Sequence, residues 1–256
     1  ESWKAQTLPN SLFLSTAVRL NAEPLAPLYK WITKVWRLLV PGDTNYVSGL
    51  TRKWLKDEKL KQRALRFLQE ADISLSDLQL EEKEFPSEIQ DVVSAMYKAM
   101  AAKESPDFQT LKVPNISTFR KDNNGDLTKL PIEQESTGTK GLINLAGPIL
   151  DVLENGMVLV VDELNTGLHP LAFQYLVGLF VDPETNTKGA QLIFTTHDTS
   201  ITEQECMGRD QIWLVEKGKD LAATLVPLSD FKERGAKGFQ RKYLDGRFGG
   251  VPKVVR

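Results

Sequence analysis

Residues Val158–Val161, "VLVV", are four consecutive branched apolar side chains, and they run without a spacer into two acids, Asp162 and Glu163. The segment then closes as "LNTGLHP" at Pro170. An unbroken apolar run of this length, bounded by turn-forming residues, reads as a strand covered on both faces. The flanking segments continue the pattern. "GTKGLINLAGPILDVLENG" predicts a helix despite Pro148, stopped at Asn155-Gly156, and a further helix is expected from Pro170 to about Phe180. "AQLIFTT" reads as a second buried strand, a short helix follows His197, and "QIWLVEK" is a third strand, with Leu221–Val226 pairing to it as a hairpin. Strand, helix, strand, helix, strand is the α/β order, with a mainly parallel core sheet.

In such folds ligands bind at the carboxyl edge of the sheet, which is where Asp162 and Glu163 fall. A first acid there can hold Mg²⁺ and a second can orient and deprotonate water during phosphoryl transfer. The plainer alternative is a pair of acids capping the next helix or facing solvent. His197 ends the following strand at the same edge, where it either meets a phosphate or is a hydrogen-bonded loop residue. "ESTGTKG", Glu135–Gly141, precedes a helix, so its backbone N–H groups and the helix dipole can face an anion, or it is an ordinary cap.

The first 105 residues read as mainly helical. Leu28, Trp31, Ile32, Val35, Trp36 and Leu39 have helical spacing before Pro41-Gly42, and Leu50 to about Ala102 continues as a helical arm. The arm carries Arg52, Lys53, Lys56, Lys59, Lys61, Arg63 and Arg66. A β-hairpin turning at Asn124-Gly125 follows, because both residues tolerate positive φ. The expected division is therefore an inserted helical segment, 1–105, and an α/β lobe, 106–256.

Bulk properties narrow the partners. A net charge of −2 with 26% charged residues does not by itself demand nucleic acid or an anionic membrane. The tail is locally basic, with Lys232, Arg234, Lys237, Arg241, Lys242, Arg247, Lys253 and Arg256. It could meet DNA or RNA phosphates, form a solvated face or, around Phe248, pack on the core. The single cysteine, Cys206, rules out an internal disulfide framework and points to a reducing, cytoplasmic setting. No run approaches the roughly 18 apolar residues of a membrane span. The opening "ESWKAQ" lacks a methionine and a signal pattern, so Glu1 is not expected to be the biological start.

Taken together, "ESTGT", "DELNTGLHP", "LIFTTHD" and "YLDGRFGGVP" resemble the C-terminal half of an ABC-type ATPase head of the SMC and RecF-like families, closest to the RloA and AbiLii group of bacterial AAA-type ATPases. The resemblance runs from about Asn10 to the C-terminus. It implies the C-terminal lobe of a P-loop NTPase, a mainly parallel α/β sheet with an inserted helical arm, using ATP and Mg²⁺. Ser136, Gly138 and Thr139 correspond to the signature loop and Asn165 to the D-loop, all facing nucleotide. Asp162 corresponds to the metal residue, Glu163 to the catalytic base and His197 to the switch histidine. The resemblance further implies ATP sandwiched between two heads, hence a homodimer or higher oligomer, acting as sensor or regulator in anti-phage defence.

No second acidic cluster follows His197, so any cutting is expected from a separate effector, a nuclease or toxin. DNA or RNA is a candidate partner through the basic arm and tail. Two alternatives stand beside this one: a RecF- or SMC-like DNA repair ATPase, and a non-catalytic pseudo-ATPase scaffold that holds an effector or toxin. The motif G-x-x-x-x-G-K-[ST] is absent. The chain is therefore expected to be the C-terminal portion of a longer protein, with a split partner chain or a degenerate relative as alternatives.

Overall fold

The computed structural model describes residues 2–39, 48–84, 112–122, 124–203, 207–218, 220–231 and 238–251. The elements in chain order are helices α1 (Ser2–Ala5), α2 (Phe13–Arg19) and α3 (Ala26–Val35), strand β1 (Trp36–Leu39), helices α4 (Gly49–Lys56) and α5 (Glu58–Glu70), and strands β2 (Asp77–Glu84), β3 (Lys112–Lys121) and β4 (Leu127–Pro131). Helix α6 (Thr137–Asn155), strand β5 (Val158–Val161), helix α7 (Pro170–Val181), strands β6 (Gln191–Phe194), β7 (Trp213–Lys217) and β8 (Ala223–Pro227), and helix α8 (Phe239–Leu244) complete the chain. They fall into two units, one of Glu1–Pro41, Val152–Asn165 and His169–Arg256, the other of Gly42–Asp151 and Thr166–Leu168.

The first unit is built on a parallel sheet in the order β1-β5-β6. Its register aligns Leu39, Val161 and Phe194 on one face and Leu38, Val160 and Ile193 on the other. On the first face Leu159 and Val161 are buried. Helix α7 buries Ala172, Phe173, Leu176 and Val177, a stripe at helical spacing, and Phe173 meets Phe194 edge-on at 5.6 Å. The opposite face leaves Trp36, Leu38 and Ile193 exposed, Leu38 by 70%.

Strand β1 corrects the expected helix. The chain leaves the helix at Val35, and the next four residues pair with β5. Trp36 and Leu39 fit a helical stripe in sequence, but Trp36 and Leu38 lie on one face of a pleat, and a free neighbour in a parallel sheet decides between the two periods.

Strands β7 and β8 form the expected hairpin, but as a two-stranded sheet of their own: the third strand of the parallel sheet is β1, not "QIWLVEK". After it, Leu228, Phe239 and Phe248 make a small core against Ile212, Leu214, Phe231 and Tyr243. The aromatic-glycine segment therefore packs on the hairpin. Tyr243 Oη donates to Gly250 O at 2.9 Å, and Arg209 lies over the Phe239 ring while donating to Leu228 O. Of the basic tail, Lys232, Arg234, Lys237, Lys253 and Arg256 lie outside the described residues, as does Cys206.

The second unit holds an antiparallel sheet, β2-β3-β4, packed with α4, α5 and most of α6. Helices α4 and α5 are helical as the pattern from Leu50 predicts, and Asp57 caps α5 by accepting from Leu60 N at 3.0 Å. Asp77–Glu84 is a second correction: "DLQLEEKE" is a strand, its Leu78 buried and its register with β3 set from Asp77–Phe119 onward. The rest of the arm, and the expected division near residue 105, lie outside the described residues. The β3–β4 hairpin pairs Lys121 with Leu127 around a longer loop than a two-residue turn. There Asp122 Oδ1 accepts from the N–H groups of Asn124 and Asp126.

Helix α6 runs through Pro148 without breaking. Proline has no N–H for the carbonyl four residues back. That carbonyl, Asn144 O, accepts instead from the hydroxyl of buried Thr51 at 3.0 Å. Gly147 makes the approach of α4 feasible, since a Cβ there would lie 2.5 Å from the Thr51 backbone. Among the described residues no helix is long and apolar enough to cross a membrane.

Candidate functional site

The carboxyl edge of the parallel sheet carries a connected set of side chains. Beyond β5 the pairing continues for one residue on each side, with Asp162 N donating to Leu39 O and Thr195 N to Val161 O. The Thr195 hydroxyl donates to Asp162 Oδ1 at 2.5 Å and accepts from Glu163 N at 2.7 Å. Leu164 N donates to Thr195 O at 3.1 Å. Glu163 is left-handed, φ +51°, a conformation that costs a non-glycine residue about 1–2 kcal/mol. The two bonds to Thr195 hold that turn, so the chain reverses, Leu164 enters the core and both carboxylates stay exposed.

A second set follows. Asn165 Nδ2 lies 3.0 Å from His197 Nε2, and Asn165 Oδ1 accepts from Thr196 Oγ1 at 2.8 Å. Because the amide oxygen is taken by a hydroxyl donor, the amide N–H faces the ring, and Nε2 must supply a lone pair. In this arrangement His197 Nε2 accepts from Asn165 and the ring N–H lies on Nδ1. Asn165 is buried, whereas the His197 ring is exposed and open to a ligand.

The second unit holds Ser136, Gly138 and Thr139. Ser136 Oγ accepts from Thr139 N at 3.1 Å and contacts Thr139 Oγ1 at 2.9 Å, which is an N-cap of α6. The capped-helix reading of "ESTGT" is thus present in the geometry. It leaves the N–H groups of Thr137 and Gly138 without intrahelical acceptors at the positive end of a 19-residue helix, a place suited to an anion. Gly138 faces Gly167, and an added Cβ would lie 2.6 Å from Gly167 O. Behind the loop Glu135 is buried against β3. Arg120 pairs with both of its oxygens and Thr118 donates to Oε1. Burial would raise the Glu135 carboxyl, but the hydrogen bonds from Arg120 and Thr118, with the charges of Arg120 and Lys140, hold it below the usual glutamate range.

Of the residues singled out from the sequence, Asp162, Glu163, Asn165 and His197 meet at one sheet edge in the first unit, while Ser136, Gly138 and Thr139 lie in the second. Sequence reasoning missed Thr195, Thr196, Glu135, Thr118 and Arg120. The doubled threonine before His197 was a signal, since hydroxyls at a strand exit sit beside whatever ends the neighbouring strand. Nothing in the hairpin sequence pointed to Arg120.

Among the described residues no group of three or more His, Cys, Asp or Glu could hold a metal. Nucleotide-bound Mg²⁺ requires no such group, since it keeps waters and phosphate oxygens and takes only one or two carboxylates from a protein. Asp162 has one oxygen fixed by Thr195 and fits the part. In the arm, several cations are engaged within the fold. Lys56 pairs with Glu82 at 2.6 Å, Lys61 with Asp77 at 3.1 Å, and Arg63 lies over Trp54.

A protein-family model described as "AAA domain, putative AbiEii toxin, Type IV TA system" matches residues 3–203. No curated protein matches the chain.

Proposed function

Because the chain belongs to this AAA domain family, and AAA domains are generally ATPases, we propose that it forms part of an ABC-type ATPase head of the RloA and AbiLii kind that binds and hydrolyses ATP. The observation that carries the reading is the linked set at one sheet edge, Asp162, Glu163, Asn165 and His197, fastened by Thr195 and Thr196. In this reading Asp162 would hold Mg²⁺, which would supply charge neutralisation at the phosphates. Glu163 takes a proton from the water that attacks the γ-phosphorus as the bond to ADP breaks. His197, protonated on Nδ1, turns a hydrogen-bond donor toward the γ-phosphate.

The phosphate-cradling loop is supplied by sequence other than these 256 residues. Ser136, Gly138 and Thr139 close on the nucleotide of a second head, so ATP drives association of a homodimer or higher oligomer. The ATPase acts in the cytoplasm as a sensor or regulator in anti-phage defence, passing its state to a separate nuclease or toxin effector. The toxin–antitoxin wording of the family description supports the defence setting.

The test is Glu163→Gln in the protein that includes its phosphate-binding loop. Turnover is expected to fall by about 10² or more with ATP-bound dimers accumulating. Unchanged turnover would remove Glu163 from the role. Wild-type protein that binds ATP without hydrolysing it would point to the scaffold alternative.

A further inference from the structure

We infer that Glu135 is a positioning residue, gripped by Arg120 and Thr118 of β3, that sets the direction in which the Ser136–Thr139 loop offers its N–H groups to nucleotide phosphate. The ligand assigned to the loop rests on the ATPase reading above; the grip itself does not. Glu135 sits directly before the capping residue, in an extended conformation, φ −71° and ψ 156°. Its side chain is only 4% exposed, and Thr118 is fully buried. Arg120 Nη2 reaches Oε2 at 3.0 Å while Nη1 and Thr118 Oγ1 both reach Oε1. A forked guanidinium fixes a carboxylate in plane as well as in place. The backbone that leaves Glu135 for α6 therefore has one approach angle.

The loop is held from the other side as well. Gly138 lies under Gly167 O with no room for a side chain, and a Cβ on Gly167 would meet Thr137 Cγ2 at 3.0 Å. A buried ion pair is weak evidence of added stability, because desolvation offsets the attraction. Its clearer consequence here is orientation, together with charge. A bare carboxylate one residue from Ser136 would repel a polyphosphate, and Arg120 neutralises it.

The experiment compares wild type, Arg120→Ala, Arg120→Lys and the paired replacement Glu135→Gln with Arg120→Met in the full-length protein. Amide hydrogen exchange over Ser136–Lys140 and ATP-driven head association are measured in each. Arg120→Ala is expected to speed exchange at these amides about tenfold relative to those of β5, and to weaken ATP-driven association about tenfold. ATP affinity of a single head should stay unchanged, and Arg120→Lys, which keeps the charge but loses the fork, should restore only a small part of the loss. A merely structural pair would lower thermal stability without separating association from single-head binding. The paired replacement keeps the test readable if Arg120→Ala fails to fold. Wild-type exchange rates in the variants would overturn the positioning role whatever the ligand. If the wild-type protein shows no ATP-driven association, the nucleotide reading fails, and the exchange data still decide the grip.

Discussion

The hydroxyl of Thr51 donates to the carbonyl of Asn144 at 3.0 Å, filling the vacancy that Pro148 creates four residues later in the same helix. The hydroxyl is fully used, since it also accepts from Ser48 Oγ at 2.9 Å and Gly147 N at 3.3 Å. Thr51→Val leaves that buried carbonyl without a donor and is expected to lower unfolding stability by about 1–3 kcal/mol. Thr51→Ser should retain most of it, and urea unfolding of the two variants makes the comparison. A loss in Thr51→Ser with none in Thr51→Val would mean that the methyl packing matters and the hydroxyl does not.

Thr195 is the hinge of the acidic edge. Thr195→Val removes both the donor to Asp162 and the acceptor for Glu163 N, while keeping the shape. ATP turnover in the protein with its phosphate-binding loop is expected to fall roughly tenfold, the size of one hydrogen bond to a charged group. Thr195→Ser should be close to wild type. Full activity in Thr195→Val would show that the left-handed turn at Glu163 holds without it.

The contact between Asn165 and His197 fixes a tautomer that nitrogen NMR reads directly. With the ring neutral, the Nε2 resonance is expected in the unprotonated range and Nδ1 in the protonated range. Asn165→Ala should bring the two toward the mixture of a free imidazole. A wild-type ring already in that mixture would contradict the assigned orientation.

Acid should loosen the hairpin grip with a definite sign. Glu135 is held below its ordinary value in the fold, so the stability it contributes is present above about pH 4.3 and is lost as pH falls through the lowered value. Asp77 acts in the same direction: burial raises its carboxyl, but hydrogen bonds from Gln79, Lys61 and Leu78 N bring it down. Unfolding free energy measured from about pH 6 to about pH 2 should therefore decline, and Glu135→Gln should flatten part of that slope. An unchanged slope would mean that the carboxylate contributes little to acid sensitivity.

Much of the site was legible because its residues are sequence neighbours of strand ends. "VLVVDE" announced a buried strand and its exit, and "FTTHD" announced the next one. Once the two strands pair in parallel, Asp162 and Thr195 must fall side by side. Trp36–Leu39 was different. Its apolar spacing suits helix or strand, and its state depends on the edge of β5 being free to accept it. Asp77–Glu84 hid its strand behind six charged or amide side chains, because only Leu78 and Leu80 mark the inward face.

By itself, then, the sequence determined the α/β order, the strand exits with their acids and histidine, and the glycine and serine turn that opens α6, since each follows from local patterning. Tertiary structure alone decided that Arg120 and Thr118 would meet Glu135, that Thr51 would supply the hydrogen bond Pro148 cannot give to Asn144 O, and that Asn165 would contact His197 Nε2. Each of these joins residues from different elements. Hydrogen-bond complementarity across such distances is satisfied only after packing brings the groups together, and no local periodicity encodes it.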